Sequence, residues 1–359
     1  MILSGIISLS YANCNLINKD VKEFMQKDQI NGVAIALVKG NKIIYCNYGY
    51  IDQKKHRKVT KKTIFAIASL SKTFTANLAA IAVIESKFDL YKPITTYLPE
   101  LTNPYYQQIN SAKLLAHVAN IPFNLSATRT KSDLINSLNQ VKYPSKPQTI
   151  YSYSNPGIAI VGIALENAYK QSYLHILQDQ LLHKLDMKST FIDLPPKYKN
   201  IAAQGFDKQN KPVSAFSSIG ALASAGGLKS NTHDLALYLR YQINGSNDKT
   251  LNDALNIVHK DYYCIDDQRY QQLAWEHSPN QDLNKRIDDK QTSQTSRITN
   301  NCNFNGGFIA KTGTIQGMSS YIAYSPKNKV GIVILLNKAP IDDRINLSKK
   351  ILQLLAKSK

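Results

Sequence analysis

Gly32-Val33-Ala34-Ile35-Ala36-Leu37-Val38, then Lys39-Gly40-Asn41, then Lys42-Ile43-Ile44-Tyr45-Cys46-Asn47-Tyr48, reads as two strands joined by a tight turn. Residues 16–30 before it carry Ile17, Val21, Phe24 and Met25 at helical spacing. The strand pattern returns near the other end, at 307–312, 319–324 and 330–336, with Ser325-Pro326-Lys327-Asn328 as a turn. An amphipathic helix over 342–355 closes the chain, with Ile345, Ile351, Leu352 and Leu355 on one stripe. Between these ends the periodicity is helical, at 114–119, 134–141, 157–169 and 233–242. Strands at both ends with helices between them predict an α/β fold of the α+β type. An antiparallel sheet is built from N- and C-terminal strands and flanked by helices, with a mostly helical insertion. The expected division is 13–65 plus 304–359 for the α/β part and 66–303 for the helical part. The polar stretch 276–303 reads as a long surface loop.

The chain has 359 residues, of which 43% are hydrophobic and 19% charged, enough to bury a large core and too apolar for a disordered chain. The formal net charge of +19 attracts anionic surfaces. Its densest run, Lys54-Lys55-His56-Arg57-Lys58 with Lys61 and Lys62, sits in a loop with no aromatic interleaving, which argues against a nucleic-acid partner. Residues 1–12 are apolar and end in Ser10-Tyr11-Ala12, a signal-peptidase pattern without a positive n-region, so export and cleavage after Ala12 are expected. No other segment is apolar enough to span a membrane, and no stable anchor is expected. Cys14 follows a poor lipobox. Cys46, inside a strand, reads as a core thiol, and Cys264 and Cys302 are candidates to pair. No Cys or His spacing suits a metal, so neither metal nor organic cofactor is expected.

Three short motifs carry the chemistry. Ser-x-x-Lys occurs twice, at Ser69/Lys72 and Ser246/Lys249. The second lies in a turn composition. The first opens the apolar run Thr73-Phe74-Thr75-Ala76-Asn77-Leu78-Ala79-Ala80, long enough for a buried helix, where residues three apart share a face. Lys72 then stands beside the Ser69 hydroxyl. A serine is a weak nucleophile until a base takes its proton. A lysine amine does so only when burial or nearby cations lower its pKa from ~10.4.

Tyr153-Ser154-Asn155 precedes Pro156-Gly157 and another helical stretch. A turn there projects Tyr153 into a cleft for proton transfer, and Asn155 can orient Lys72 and a substrate amide. Lys311-Thr312-Gly313-Thr314 ends an apolar strand. Lys311 and Thr312 can hold a substrate carboxylate, and Gly313 permits close approach. The backbone N–H groups of Thr314 and Ser69 can form an oxyanion hole. No Gly-x-Ser-x-Gly elbow is present, which disfavours the rival serine-hydrolase design. His117, His175, His183 and His233 read as structural.

In this order the motifs resemble the penicillin-recognising serine hydrolases, and most closely the class C β-lactamase branch. The likeness runs from about Gly32 to the C-terminus and includes Ser69-Leu-Ser-Lys-Thr-Phe-Thr75, Tyr97-Leu-Pro-Glu-Leu101, Leu185-Asp-Met-Lys-Ser189, Leu273-Ala-Trp-Glu276 and Gly331-Ile-Val-Ile-Leu-Leu-Asn-Lys338. The resemblance implies an enzyme in which Ser69 is acylated by a β-lactam or a D-Ala-D-Ala peptide, with Lys72 and Tyr153 handling protons and no cofactor; a monomer is expected. Class A is disfavoured, since its Ser-Asp-Asn word is Tyr153-Ser154-Asn155 here. Three departures stand out. Ala225-Gly226-Gly227-Leu228-Lys229-Ser230 puts Gly226 where class C enzymes carry tyrosine. His117-Val118-Ala119-Asn120-Ile121-Pro122 is similar to a word of the DD-peptidase and esterase relatives. Pro340-Ile341-Asp342-Asp343-Arg344 retains the arginine, which is expected to assist carboxylate binding. The rival readings are a DD-carboxypeptidase or small-ester hydrolase with the same residues, and a silent envelope-binding protein.

Overall fold

A computed structural model describes residues 14–52, 54, 56–144, 150–266, 269–278, 296–297 and 306–358. Its frame is one antiparallel sheet. In chain order the strands are β1 (Gly32–Lys39), β2 (Lys42–Asp52), β3 (Arg57–Lys58), β4 (Tyr263–Asp266), β5 (Arg269–Gln271), β6 (Glu276–Ser278), β7 (Phe308–Ile315), β8 (Met318–Ser325) and β9 (Val330–Leu336). Their spatial order is β3-β2-β1-β9-β8-β7-β6-β5-β4, so the first and last hairpins meet through β1 and β9. Val33 pairs with Leu336 and Lys39 with Val330 across that seam.

The sheet is covered on both faces. One face, with Val33, Ile35, Leu37, Ile332, Ile334 and Leu336, packs under α1 (Asn15–Lys27) and α6 (Arg344–Lys357). The other, with Ala34, Ala36, Val38, Val333 and Leu335, packs against the helices of the middle segment. Side chains alternate between faces at period two. Because both faces are dry, β1 and β9 read as unbroken apolar runs rather than alternating ones.

At the centre of the helical side is α2 (Ser71–Ile84), buried along nearly its whole length. Beside it lie α3 (Asn155–Tyr169), α4 (Thr232–Asn244) and α5 (Lys249–Val258). Side chains start these helices: Ser154 accepts from Gly157 N, Asn231 from Asp234 N, and Asp248 from Leu251 N.

Two sequence expectations change. Residues 276–278 belong to β6 in the main sheet, and Trp275 before them is fully buried, so this part of the expected surface loop is a strand. Residues 279–295 and 298–305 of that loop lie outside the described residues. Cys46 is not a free thiol but is bonded to Cys14, with the two Cα atoms 5.5 Å apart. Cys46 faces the α1 side of the sheet, which brings it to Cys14 at the start of that helix. With its sulfur in a disulfide, Cys14 has no thiol for a lipid. Cys264 is also disulfide-bonded. Cys302, the partner expected for it, lies outside the described residues.

The Cys14–Cys46 link closes a sequence separation of 32 residues. Chain entropy puts its contribution at about 3–4 kcal/mol. Cys46→Ala is therefore expected to lower the urea midpoint of the oxidised protein by that equivalent. An unchanged midpoint would show that the link closes no entropy-rich loop.

Acid should weaken the fold through His259. Its ring packs on Trp275, 5.7 Å between centres, and its Nδ1–H donates to Gln272 Oε1 at 2.8 Å while the Tyr324 hydroxyl lies 2.9 Å from Nε2. Burial first of all lowers its pKa from 6.5 to about 4. The unfolded chain therefore takes this proton near pH 6.5, before the folded chain does. Stability is whole above pH 6.5 and falls as pH drops to about 4, by roughly 3 kcal/mol. Urea midpoints measured between pH 7 and 4 should show this slope, and His259→Gln should flatten it.

Candidate active site

Ser69 sits in the short 3₁₀ turn Ala68–Leu70 that runs directly into α2. The residue before it, Ala68, has φ +48°, a left-handed conformation that an alanine adopts only under constraint. That constraint comes from the sheet: Ser320 Oγ donates to Ile67 O at 2.8 Å, and Leu228 O accepts from Ile67 N at 3.0 Å. Ser69 is thus held between β7–β8 and the 225–230 segment.

Lys72 follows one turn later and is fully buried. Its Nζ lies 2.9 Å from Ser69 Oγ, 2.7 Å from Asn155 Oδ1 and 2.6 Å from Ala225 O. A neutral amine has two hydrogens and one lone pair. Asn155 and Ala225 can take the two hydrogens, which turns the lone pair toward the Ser69 hydroxyl. Asn155, at the start of α3, donates its own Nδ2 to Asn124 Oδ1 at 2.7 Å.

Tyr153 stands two residues before α3. Its ring centre is 5.0 Å from Lys72 Nζ and also 5.0 Å from Lys311 Nζ, so two lysine nitrogens flank the phenol. The His117 imidazole packs against it, 4.2 Å between centres and tilted by 31°. Lys311 is buried on β7, and Glu276 Oε1 of β6 is 3.8 Å from its Nζ.

Register decides what β7 offers. β6 pairs only with Phe308, Ile309 and Ala310. From Thr312 to Ile315 that edge of β7 has no strand partner among the described residues, so its backbone groups can meet an extended substrate. Gly313 is required there because a Cβ would come within 2.4 Å of Ile67 O and 3.0 Å of Ser69 N. Thr314 and Ser69 both line a cavity of about 170 Å³, with Ile219, Leu222, Gly226 and Ile315 as its apolar walls. Thr312 is half-buried between Lys311 and Gly313.

Arg344 is placed differently from the sequence expectation. Its guanidinium is fully buried and donates to Ser320 O at 3.1 Å, to Gly313 O at 3.4 Å, to Thr314 Oγ1 at 3.1 Å and to Ile341 O. Its Nη1 also lies 3.5 Å from the Asp342 carboxylate, so the fork of donors is spent inside the protein and braces Gly313-Thr314 from behind. The second Ser-x-x-Lys is not a site. Ser246 lies in the turn before α5, and Lys249 Nζ pairs with Asp253 in solvent.

Ser69, Lys72, Tyr153, Asn155 and Lys311 therefore converge in one cleft, with the open edge of β7 along it. A model of the family described as Beta-lactamase matches residues 17–356. The chain belongs to the beta-lactamase family. This beta-lactamase-family chain is 31% identical over 350 residues to a beta-lactamase of Pseudomonas fluorescens, covering 94% of this chain and 97% of that one. It is 30% identical to a beta-lactamase of Providencia stuartii, covering 93% and 89%. Among solved structures, a beta-lactamase/D-alanine carboxypeptidase from Pseudomonas syringae matches with TM-score 0.86 at 26% identity, over 95% of this chain and 98% of that one. A class C beta-lactamase from Rhodobacter sphaeroides shares the fold at TM-score 0.88 and 22% identity, over 95% and 99%.

Sequence reasoning missed three neighbours of the family site. Glu276 lies in a word resembling the class C branch, but its approach to Lys311 needs the β6–β7 pairing. Asn124 carries no sequence signal as the partner of Asn155. His117, read as structural, packs against Tyr153.

Proposed function

We propose that this chain is a class C-like serine β-lactamase that opens the β-lactam amide through an acyl-enzyme on Ser69. The observation that carries the reading is Lys72 Nζ at 2.9 Å from Ser69 Oγ, with Asn155 Oδ1 and Ala225 O placed to accept the two hydrogens of its neutral amine. The Lys72–Tyr153 pair takes the hydroxyl proton as Oγ attacks the carbonyl carbon. The N–H groups of Ser69 and Thr314 receive the oxyanion. Tyr153, between Lys72 and Lys311, delivers a proton to the departing ring nitrogen and is reprotonated from Lys72. Water then attacks the ester, gives its proton to the Lys72–Tyr153 pair, and Ser69 leaves with a proton. Lys72 and Tyr153 share these proton transfers, so neither residue is assigned the base role alone. Asn155 orients the substrate amide, and Lys311 with Thr312 holds its carboxylate.

Every group invoked comes from one chain, so a monomer suffices. Export fits the Cys14–Cys46 disulfide, since such bonds persist in oxidising compartments. Among the described residues no helix is long and apolar enough to cross a membrane.

A second reading, D-alanyl carboxypeptidase or small-ester hydrolase, is favoured by Gly226. It leaves the apolar cavity of about 170 Å³ open beside Ser69, room for a short alkyl group. The Pseudomonas syringae relative is itself titled beta-lactamase/D-alanine carboxypeptidase. Burst kinetics with a chromogenic cephalosporin separates the two. Continued turnover after the first equivalent is expected. One equivalent and a stop, with D-alanine released from a D-Ala-D-Ala peptide, would replace the first reading by the second.

A further inference from the structure

We propose that His117 is a positioning residue whose imidazole and backbone clamp Tyr153 in place between Lys72 and Lys311; this rests on the serine acyl-transfer reading of the site. Three contacts from the one residue bracket the tyrosine. His117 O accepts from Ser152 N at 2.7 Å, His117 Nδ1 accepts from Ser154 N at 3.2 Å, and the imidazole packs against the Tyr153 ring at 4.2 Å. The residues on both sides of Tyr153 are thus fastened to His117, and its ring is backed by the same side chain.

The backbone of His117 is itself unusual. It has φ +57°, just past the short helix Ser111–Leu115, and Val118 N reaches back to Lys113 O at 2.9 Å. A left-handed conformation is unfavourable for a non-glycine residue and persists where surrounding structure imposes it. Here it turns the imidazole under Tyr153.

The clamp works with a neutral ring. Nδ1 accepts a hydrogen bond, so the hydrogen sits on Nε2, a buried atom with no hydrogen-bond partner among the described residues. Keeping an orphaned polar atom there is unfavourable for packing alone. An aromatic of similar size without nitrogen would pack as well, but it would leave Ser154 N–H unpaired. The groups facing His117 are Lys72 from α2, Lys311 from β7 with its partner Glu276 from β6, and the phenols of Tyr151 and Tyr153. Burial first, then the Lys311 and Lys72 charges, hold the imidazole well below its ordinary pKa. A protonated ring would lose the acceptor at Nδ1 and add a cation beside Tyr153.

Two variants separate the contacts. His117→Asn retains an acceptor for Ser154 N–H and loses the ring. His117→Phe retains the ring and loses the acceptor. The readout is the rate and pH profile of Ser69 labelling by a fluorescent penicillin, with a fluorophosphonate probe in parallel. Displacing a proton-transfer group by about 1 Å costs roughly 10²-fold. Each variant is expected to label about 10- to 100-fold more slowly with unchanged non-covalent affinity, and with a pH profile shifted from wild type. Labelling of both at the wild-type rate and profile, with only a lower melting temperature, would overturn the proposal and make His117 a packing residue. Wild type labelled by the fluorophosphonate alone would overturn the β-lactam reading while leaving the His117 comparison readable. Wild type labelled by neither would overturn both.

Discussion

Ser69→Ala should leave the protein folded and abolish acylation, with labelling by a fluorescent penicillin and turnover of a chromogenic cephalosporin both falling at least ~10⁴-fold. The change removes one oxygen from a 3₁₀ turn whose backbone is held from Ile67 by Ser320 and Leu228, so the melting temperature should move little. Lys72→Met should cost a similar factor, and the double variant little more than either single one, because nucleophile and base act as a unit. Lys72 lies within hydrogen-bond reach of Ser69 Oγ, Asn155 Oδ1 and Ala225 O, so this second change also leaves buried acceptors unpaired. Stoichiometric labelling of the Ser69→Ala protein at another residue would refute the assignment.

Arg344→Ala should have the largest effect on the fold. The guanidinium is fully buried and reaches Ser320 O, Gly313 O, Ile341 O and Thr314 Oγ1. Its loss strands these acceptors and opens a cavity between α6 and the β7–β8 pair, at a cost of about 3–5 kcal/mol. The thermal midpoint should drop by about 5–10 °C, since each kcal/mol moves a chain of this size by a few degrees. Acylation should fall as well, because Gly313 and Thr314 lose the brace behind them. Arg344→Lys should restore little, since one ammonium cannot reproduce the fork of donors. A variant of wild-type stability with selectively weakened binding of substrate carboxylates would instead assign Arg344 the direct contact that its burial argues against.

Much of the frame was legible because its signals are local. The turn at Gly40-Asn41, the apolar runs of β1 and β9 and the caps of α3 and α4 are each specified within a few residues. The Ser69-x-x-Lys72 spacing is legible for the same reason, since one helical turn fixes which side chains are neighbours. The reading went astray where partners are distant. Cys46 looked like any strand cysteine, because its bond depends on α1 folding over that face of the sheet. The stretch after Trp275 looked polar, yet Glu276–Ser278 pairs with β7.

Chemical identity was in the sequence by itself: a serine, two lysines, a tyrosine and an asparagine in motif order, and a sheet assembled from both ends of the chain. Only the tertiary structure decided how those groups face one another. Lys311 is brought to 5.0 Å from the Tyr153 ring by the β7 register, Gly313 is pressed against Ser69 N, and Arg344 is turned inward to hold Gly313-Thr314. His117 passed from a structural histidine to the clamp on Tyr153 in the same way. The reason is common to all four. Local spacing along a helix or strand specifies neighbours within a turn, whereas contacts between segments far apart in sequence depend on how the sheet and helices pack.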